Sequence, residues 1–407
     1  MSNTTVRNKQ SNHSNPGRKR VQGSHNRNRN NARPAKKAST LDPALLVKEA
    51  DHSVVEKVFR SDRMVSELPI DIKLRQALAA KGYEKPTEIQ DRTLETLLKG
   101  KDILGIAQTG TGKTGAFLIP IIEQLLHKRI NPYALVVVPT RELALQVEEE
   151  FKSMSKGLGL NSACFIGGTN INKDLQTARR NNHVVIATPG RLLDLTDRRA
   201  IDLGKFQTLV LDEFDRMLDM GFIRDVNRIL DGMKQRNHTM LFSATLDKSQ
   251  QSMINNILKD HVTVKVSTGS RGGDAIDQEV IKVKPGEDKF RILEEMLSHD
   301  EFTKVLLFEE TKHRVSRLCV KLNNAGVRAD QIHGNKSQNA RQNALKAFKQ
   351  GRVQVLVATD VASRGIDVSD VSHVINYQVP QTHDSYIHRI GRTGRAGKMG
   401  KAYTFVA

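Results

Sequence analysis

Short apolar runs alternate with longer amphipathic segments from about residue 66 to the end of the chain. Strands buried on both faces have continuous apolar sequences, so each run predicts a strand of a parallel sheet and each amphipathic segment a covering helix. The first set of runs is Ile103–Ile106, Leu135–Val138, Val184–Ala187, Thr208–Leu211 and Met240–Phe242. The second set is Val280–Val283, Val305–Phe308, Val353–Val357, Val374–Tyr377 and Ala402–Val406. The pattern predicts an α/β protein with two tandem parallel-sheet domains.

A Gly-rich polar stretch, residues 267–277, separates the two sets of apolar runs. Stretches of this composition commonly join domains as flexible linkers. We therefore predict a first domain over residues 61–266 and a second domain over residues 278–407. Residues 1–60 remain as a disordered basic arm.

The first 40 residues contain ten Lys or Arg, no Asp or Glu, and scarcely a large apolar side chain. A segment this polar cannot bury a core and is expected to be disordered. Its uniform charge suits nonspecific contacts with phosphates, and a purely solubilising tail is the open alternative. The net charge of the whole chain, +19, favours a polyanionic partner, of which nucleic acid is the commonest.

The two cysteines, Cys164 and Cys319, lie far apart in the sequence. This spacing excludes a disulfide framework or a Cys-rich zinc site and suits a reducing compartment. No apolar run approaches the roughly 18 residues expected of a membrane span. We expect a soluble, cytoplasmic, monomeric protein with no membrane partner.

A glycine-rich sequence follows the predicted strand Ile103–Ile106: Ala107-Gln108-Thr109-Gly110-Thr111-Gly112-Lys113-Thr114. Its glycines allow backbone N–H groups to converge on phosphate oxygens at the start of a helix, which the pattern places near Gly115. Lys113 would neutralise the β- and γ-phosphates, and the Thr114 hydroxyl would ligate Mg²⁺. The sequence therefore predicts a nucleoside triphosphate site, called the phosphate loop below.

Three acids lie in Asp212-Glu213-Phe214-Asp215, directly after the predicted strand Thr208–Leu211. Ligands of open α/β sheets bind at the carboxyl ends of the strands. Adjacent residues at a strand end point to opposite faces, so Asp212 could serve Mg²⁺ while Glu213 polarises the attacking water. Alone, such a cluster is more often a solvated turn; beside the phosphate loop it becomes a candidate for catalysis.

The order of further motifs resembles that of the DEAD-box RNA helicases of helicase superfamily 2, from about Leu68 onward. The phosphate loop and Asp212–Asp215 are two of the motifs that carry this resemblance. The others are Gly82-Tyr83-Glu84-Lys85-Pro86-Thr87-Glu88-Ile89-Gln90, Pro139-Thr140-Arg141-Glu142, Gly167-Gly168, Thr188-Pro189-Gly190-Arg191, Ser243-Ala244-Thr245, Gln338-Asn339-Ala340-Arg341, Ala358-Thr359-Asp360, Arg364-Gly365-Ile366-Asp367 and His388 to Arg395. The resemblance implies two RecA-like domains.

The resemblance also implies an ATP site with Mg²⁺ as cofactor. Tyr83 would stack on the base, the Gln90 amide would pair with adenine, and Asp367 would contact the ribose. Arg392 and Arg395 would be arginine fingers that stabilise charge on the transferring phosphoryl group. Because they lie on the second domain, catalysis would require the cleft between the domains to close.

RNA would be held through contacts to its backbone, so binding would be independent of base sequence. The residues implied are Thr140, Arg141, Gly168, Thr188, Gly190 and Arg191 in the first domain and Arg341, Thr359 and Gly365 in the second. Four residues would couple ATP hydrolysis to changes in bound RNA: Asp215, Ser243, Thr245 and His388.

Three positions depart from the family pattern. Ser363 replaces the Ala that usually begins the motif around Ile366, a small-for-small change expected to matter little. Phe214 replaces the usual Ala of the namesake tetrapeptide, which implies different packing behind Asp215. Val65 replaces an aromatic residue that usually lies 25 positions before Gln90, which implies weaker support of the adenine site.

The function expected is RNA-stimulated ATP hydrolysis coupled to local duplex unwinding or to remodelling of RNA–protein complexes. Two alternatives stay open: an ATP-dependent RNA clamp that serves as an assembly scaffold, and a DNA helicase of the same superfamily. Gln90 and the Thr188-Pro189-Gly190-Arg191 motif disfavour the DNA helicase because they resemble the RNA-directed branch. Ribosomal or other ribonucleoprotein partners are also open.

Overall fold

The computed structural model describes residues 41–50, 59, 61–128, 133–246, 248–266, 276–363, 371–394 and 399–406. The predicted disorder of residues 1–40 lies outside this set, as do Gly365, Asp367 and Arg395. Within the described residues, two parallel sheets are each covered by helices, which confirms the predicted α/β class.

The strands are β1 Ile103–Ile106, β2 Ala134–Val137, β3 Ser162–Phe165, β4 Val184–Ala187, β5 Thr208–Leu211, β6 His238–Ser243, β7 Val262–Lys265, β8 Ile276–Lys282, β9 Val305–Phe308, β10 Ala329–Ile332, β11 Val355–Ala358, β12 His373–Asn376 and β13 Gly400–Val406. The helices are α1 Ile72–Ala80, α2 Glu88–Leu98, α3 Lys113–Lys128, α4 Arg141–Met154, α5 Ile171–Ala178, α6 Pro189–Asp197, α7 Phe214–Asp219, α8 Ile223–Gly232, α9 Lys248–Ile257, α10 Lys289–Ser298, α11 Lys312–Asn324, α12 Gln338–Lys349, α13 Asp360–Ser363 and α14 His383–Ile390. Short 3-10 helices span Pro43–Leu46, Val65–Glu67 and Leu203–Lys205.

The first sheet has the strand order β3-β4-β2-β5-β6-β1-β7, and all its pairs are parallel. Strands β5, β6 and β1 are therefore neighbours, and their carboxyl ends meet at one edge of the sheet. This arrangement brings together the three segments that follow them: the acidic cluster after β5, the end of β6 at Ser243, and the phosphate loop after β1. The second sheet has the order β10-β11-β9-β12-β13-β8.

Both faces of each sheet are buried, which explains the continuous apolar runs. Along β2, Ala134 and Val136 belong to one core cluster, whereas Leu135 and Val137 belong to another on the opposite face. Successive side chains of a strand point to opposite faces, so a strand covered on both sides needs an apolar residue at every position.

Three strands that the apolar pattern did not predict, β3, β7 and β10, all lie at sheet edges. Edge strands are covered less completely and keep polar side chains. Only one residue of β7 is buried, and β3 alternates buried and half-buried positions. Their sequences therefore lack the continuous apolar run that marks a central strand.

Two predicted boundaries need correction. Strand β8 begins at Ile276, so the last two residues assigned to the linker belong to the second sheet. Residues 41–50, assigned to the disordered arm, instead pack against the second domain, where Leu46 is fully buried in its core cluster. Only the first 40 residues have the polar composition that predicts disorder, whereas the sequence around Leu46 is apolar.

The buried ring of His373, at the start of β12, makes the second domain sensitive to acid. It stacks on Phe302 with ring centroids 4.1 Å apart, and burial lowers its pKa to about 4, from an ordinary value of 6.5. The unfolded chain thus takes up a proton before the folded one, so this contribution to stability is complete above pH 6.5 and is lost as the pH falls toward 4.

We expect the free energy of unfolding to fall by roughly 3 kcal/mol at most across this window because of His373. Urea unfolding of the wild type and of His373→Phe, measured from pH 7 to pH 4, checks this. The variant should lose less stability on acidification. Equal losses would show that other groups cause the acid sensitivity.

Candidate active site and nucleic-acid interface

The phosphate loop connects β1 to α3, which begins at Lys113. Gly110 and Gly112 have φ of 89° and 92°, a left-handed conformation that side chains disfavour. The Lys113 ammonium is buried and donates a hydrogen bond to the Ala107 carbonyl at 2.9 Å. Thr111 donates to the Gln108 carbonyl at 2.7 Å. The loop thus folds around its own lysine, the group that would meet phosphate oxygens.

Gln90 braces the phosphate loop. Its amide oxygen accepts a hydrogen bond from Thr87 N at 3.0 Å, and its amide nitrogen donates to the Gly112 carbonyl at 3.1 Å. A Cβ at Gly112 would lie 2.5 Å from the Thr87 hydroxyl oxygen, so the close approach also requires glycine there. The Gln90 amide keeps one further N–H donor and one further acceptor lone pair, so pairing with adenine would not require it to give up these bonds.

Tyr83 lies beside the loop, and its hydroxyl donates to Glu150 at 2.8 Å. Burial raises the pKa of Tyr83 above its usual range. Glu150, which also pairs with Lys81, and Gln146 line the same cavity as Tyr83, although the motifs gave neither a role. Both lie on α4, four residues apart on one helix face, and this spacing was the available signal.

The carboxylates Asp212 and Glu213 are both buried after β5. Burial raises the pKa of Asp212 to about 6, and the nearby Lys113 ammonium opposes that shift. Glu213 has a φ of 54° and directly precedes α7, so the prediction that the two acids alternate as in a strand is wrong: the chain leaves the strand conformation at Glu213. The Glu213 carboxylate instead pairs with the buried Arg216 guanidinium at 2.6 Å.

Asp215 joins the acidic cluster to the end of β6. Its Oδ2 accepts hydrogen bonds from Ala244 N at 3.2 Å, Thr245 N at 3.0 Å and the Thr245 hydroxyl at 3.0 Å. The Ser243 hydroxyl donates to the Thr245 carbonyl at 2.7 Å. A displacement of the segment after β5 would therefore also displace the segment after β6.

Two of the three departures from the family pattern, Phe214 and Val65, are core residues. The Phe214 ring is fully buried in the apolar cluster on one face of the first sheet. Val65 is buried in the cluster on the opposite face, and it lines an apolar cavity of about 390 Å³ together with Tyr83. Both substitutions therefore change the packing of the first domain's core.

A cavity of about 290 Å³ collects most of the predicted nucleotide-site residues. Its lining includes Tyr83, Thr109, Gly110, Gly112, Lys113, Thr114, Asp212 and Glu213. Arg392, on the second domain, lines the same cavity and is only 5% exposed. The chain thus brings a guanidinium from the second domain to the phosphate loop of the first.

Arginines gather near the ends of β2 and β4. Arg141 lies against Gly168, where a Cβ would be 2.5 Å from the guanidinium. Burial, together with the charges of Arg341 and Arg191, lowers the pKa of Arg141. Arg191 itself pairs with Asp174. Three neighbouring guanidiniums suit a polyanionic strand.

The small residues of this region begin helices. Thr140 caps α4 by accepting a hydrogen bond from Leu143 N at 3.3 Å, and Thr188 precedes α6. Gly190 is exposed, with open space where a Cβ would project. These helix starts follow the adjacent strands β2 and β4, so their free backbone N–H groups share one edge of the sheet.

Glu142 links the two domains. Its carboxylate lies 3.0 Å from the Arg341 guanidinium and accepts a hydrogen bond from Gln338 at 3.1 Å. All three side chains are buried. Glu142 and Gln338 lie within the quoted motifs, but their chain separation of 196 residues gave no sign that they meet.

The other candidates of the second domain follow β11 and β12. Thr359 directly follows β11, and its N–H donates to the Ile332 carbonyl at 3.4 Å. His388 lies on α14 next to Arg389, whose buried guanidinium pairs with Asp360 at 2.7 Å. Arg389, which had no predicted role, ties α14 to the end of β11.

No group of three or more His, Cys, Asp or Glu side chains suited to a metal ion occurs in the part of the chain that the structure describes. Within the same residues, no helix is both long enough and apolar enough to cross a membrane. The nearest fit to Mg²⁺ is Asp212 with Thr114 and substrate phosphates, because this ion commonly takes one or two carboxylates and completes its shell from phosphates and water.

Comparison with known proteins agrees with this geometry. The sequence model of the DEAD/DEAH box helicases matches residues 87–254, and that of the helicase conserved C-terminal domain matches residues 288–397. The DEAD-box ATP-dependent RNA helicase CshA of Bacillus subtilis (strain 168) is 42% identical over 333 residues, covering 82% of this chain and 67% of the relative. CshA of Streptococcus pneumoniae TIGR4 is 41% identical over 342 residues, covering 84% and 65%. The chain thus spans about two thirds of the length of these relatives.

Solved structures give the same result. Dbp5 of S. cerevisiae bound to RNA and ADP BeF3 has a TM-score of 0.75 and 31% identity, covering 84% of this chain and 89% of that one. Mss116p bound to ssRNA and AMP-PNP has a TM-score of 0.76 and 32% identity, covering 85% and 75%. With two RecA-like sheets, the phosphate loop and the acidic cluster in place, the chain belongs to the DEAD-box helicase family.

Proposed function

We propose that this protein is an ATP-dependent RNA helicase that couples ATP hydrolysis to local duplex unwinding or to remodelling of RNA–protein complexes. The observation that carries the proposal is the cavity in which Arg392 of the second domain meets the phosphate loop and the acidic cluster of the first. A nucleotide held there can be hydrolysed only while the two domains are together.

In the proposed ATP site, residues 107–114 hold the phosphates. Lys113 exchanges the Ala107 carbonyl for phosphate oxygens, and Thr114 and Asp212 are placed to hold Mg²⁺. When bound, Mg²⁺ neutralises charge on the β- and γ-phosphates. Glu213 orients the attacking water, and Arg392, with Arg395, stabilises the charge on the transferring phosphoryl group. Tyr83, Gln90 and Asp367 hold the nucleoside.

In the proposed RNA site, both domains grip one strand by its backbone. The support is the group of three guanidiniums, Arg141, Arg191 and Arg341, with the exposed helix start at Gly190. Hydroxyl groups, glycines and guanidiniums contact phosphates and 2′-hydroxyls without reading base edges. The relatives Dbp5 and Mss116p, whose structures contain RNA, lend further support.

One comparison tests the proposal. ATP hydrolysis is measured with RNA and with DNA of equal length, beside a single-turnover duplex-displacement assay. An RNA helicase gives RNA-selective stimulation together with ATP-dependent strand displacement. Stimulation without displacement would indicate an ATP-dependent RNA clamp, and equal stimulation by DNA would indicate a DNA helicase.

A first variant tests the proposed coupling between ATP hydrolysis and RNA. Thr245→Val keeps the side-chain shape but removes the hydroxyl that donates to Asp215. We expect ATP turnover to stay within about threefold and strand displacement to fall roughly tenfold, since a hydrogen bond to a charged group contributes about 1.5 kcal/mol or more. Thr196→Val, which loses a hydrogen bond to the Leu192 carbonyl within α6, is the control. Parallel losses in both assays would contradict a coupling role.

The Glu142–Arg341 pair gives a second variant. Arg341→Ala leaves a buried carboxylate without its cation and removes a proposed phosphate contact, so we expect RNA affinity in the presence of an ATP analogue to fall more than tenfold. Arg314→Ala, which breaks the exposed Arg314–Glu310 pair, is the matched control and should change affinity less than twofold. Fluorescence anisotropy with a labelled single strand measures both. Equal affinities would remove Arg341 from the RNA site.

We further propose that the protein acts in the cytoplasm as a monomer, with a first domain over residues 61–266 and a second that begins at Ile276. The support for a monomer is that one chain supplies both Lys113 and Arg392 to the same cavity. The support for a reducing compartment is that Cys164 and Cys319 are both free thiols. Ribosomal and other ribonucleoprotein targets fit this placement equally.

A further inference from the structure

Residues 42–50, called the N-terminal strap below, precede the first domain in sequence but lie on the second. Leu46 is 0% exposed and belongs to the core cluster of the second domain. Lys48 pairs antiparallel with Gln278 of β8 through two backbone hydrogen bonds of 3.0 and 2.8 Å. Ala50 N donates to the Asp277 carboxylate at 2.9 Å. The strap is thus bound by both its backbone and its apolar side chains.

The surface that receives the strap is an edge of the second sheet. Strand β8 is the last in the order β10-β11-β9-β12-β13-β8. If no other segment covered it, its outer side would expose backbone N–H and C=O groups to solvent. The buried Tyr386 hydroxyl lies 3.0 Å from the Gln278 amide oxygen and 3.3 Å from the Leu46 carbonyl. The buried Tyr386 side chain therefore contacts both the β8 edge and the strap.

The chain then returns to the first domain. Ser61 is buried, its hydroxyl donates to Asp91 of α2 at 3.2 Å, and Arg63 pairs with the same carboxylate at 3.0 Å. Eleven chain steps separate Ala50 from Ser61. At about 3.3–3.6 Å per residue they can span no more than about 40 Å. The segment from Val266 to Ile276 joins the same two domains a second time.

We propose that the N-terminal strap binds the β8 edge of the second domain in cis and so forms a second tether between the domains. While the strap is bound, the second domain cannot move farther from Ser61 than the connecting segment reaches. A second tether raises the effective concentration of one domain near the other. It thereby favours the arrangement in which Arg392 faces the phosphate loop.

A matched pair of variants in the full chain tests this. Leu46→Asp places a charge in the core of the second domain, whereas Val47→Asp adds the same charge to a side chain that is 56% exposed. Both variants keep the ten cations of the first 40 residues, so any electrostatic effect on RNA is matched. Differences between them then report the binding of the strap.

Hydrogen exchange measures the binding directly. The amides of Lys48 and Gln278, which donate to each other's carbonyls, should be protected in the wild type and in Val47→Asp, and should exchange at least tenfold faster in Leu46→Asp. Unprotected amides in the wild type would overturn the proposal. This measurement does not depend on any enzymatic activity.

Energy transfer between dyes measures the tether. Arg199→Cys and Val320→Cys place exposed thiols on the first and second domains. Native thiols react slowly, because burial raises the pKa of Cys319 to about 11 and that of Cys164 above its usual range. Without ligands, Leu46→Asp should shift the population toward lower transfer efficiency, and Val47→Asp should not. Identical distributions would overturn the tether.

The last readout rests on the proposed function. Leu46→Asp should raise the RNA concentration for half-maximal ATP hydrolysis roughly fivefold, and the rate at saturating RNA should be unchanged, since RNA itself then holds the domains together. An unchanged half-saturation value would overturn the tether. If the wild type shows no RNA-stimulated hydrolysis, the proposed function fails, and hydrogen exchange and energy transfer still decide on the strap.

Discussion

Glu213→Gln should lower ATP turnover at saturating RNA by roughly a hundredfold or more while leaving nucleotide binding unchanged. The amide keeps the size of the buried side chain and can still accept a hydrogen bond from Arg216, so the local structure should persist. What it loses is the negative charge that would orient and polarise the attacking water. The substitution should therefore slow the hydrolysis step and leave the binding step unchanged.

Lys113→Ala is the informative comparison, because its ammonium would bind the phosphates both before and during hydrolysis. It should weaken ATP binding and turnover together, in contrast to Glu213→Gln. Calorimetric titration with a nonhydrolysable ATP analogue, beside steady-state hydrolysis, separates the two effects. Unaltered hydrolysis in Glu213→Gln would falsify its assignment as the water-orienting group.

The central strands could be predicted from sequence because each is buried on both faces. Val184–Ala187 and Val305–Phe308 agree residue for residue with the observed strands β4 and β9. The edge strands β3, β7 and β10 could not be predicted in this way, because one side of each lacks a neighbour and polar residues are tolerated. The same physics explains the unexpected strap: β8 is an edge, and a distant segment of the chain covers it.

In the candidate site, the parts that are local in sequence could be predicted, and the contacts between distant residues could not. The phosphate loop and the acidic cluster are local in sequence, so their residue types and spacing predicted both their position and their proposed chemistry. Contacts such as Glu142 with Gln338 join residues 196 positions apart, and no local pattern can reveal which side chains meet across that distance. The pairing of Glu213 with Arg216 was missed for another reason: a left-handed residue at a strand end breaks the alternation assumed there.

Gln90 shows how one residue can serve both a structural and a proposed binding role. The motif predicted an amide that pairs with adenine, and the observed bonds to Thr87 and Gly112 instead hold the loop in shape. Side-chain amides carry two donors and two acceptor lone pairs, so one face of Gln90 can brace the loop while the remaining groups serve a base. Occupation of the base site would then stiffen the phosphate loop.

Arg392→Ala should remove RNA-stimulated hydrolysis, with a loss of about 10³-fold or more, as expected for an arginine finger. Arg392 is almost fully buried, lies on the second domain, and lines the same cavity as Lys113 and Glu213. Because Lys113 and the rest of the phosphate loop lie on the first domain, nucleotide binding in the absence of RNA should change little.

Arg352→Ala provides the matched control for Arg392→Ala, since Arg352 is an exposed arginine of the second domain whose guanidinium hydrogen-bonds to Gln350. Single-turnover hydrolysis at saturating ATP and RNA gives the rate of the chemical step, and anisotropy with labelled RNA reports whether the domains still close on the strand. Loss of hydrolysis with retained RNA binding would identify a group that acts on the transition state. Loss of both would instead make Arg392 a closure contact, and the stabilisation of phosphoryl charge would then have to come from another group, with Arg395 the first to test.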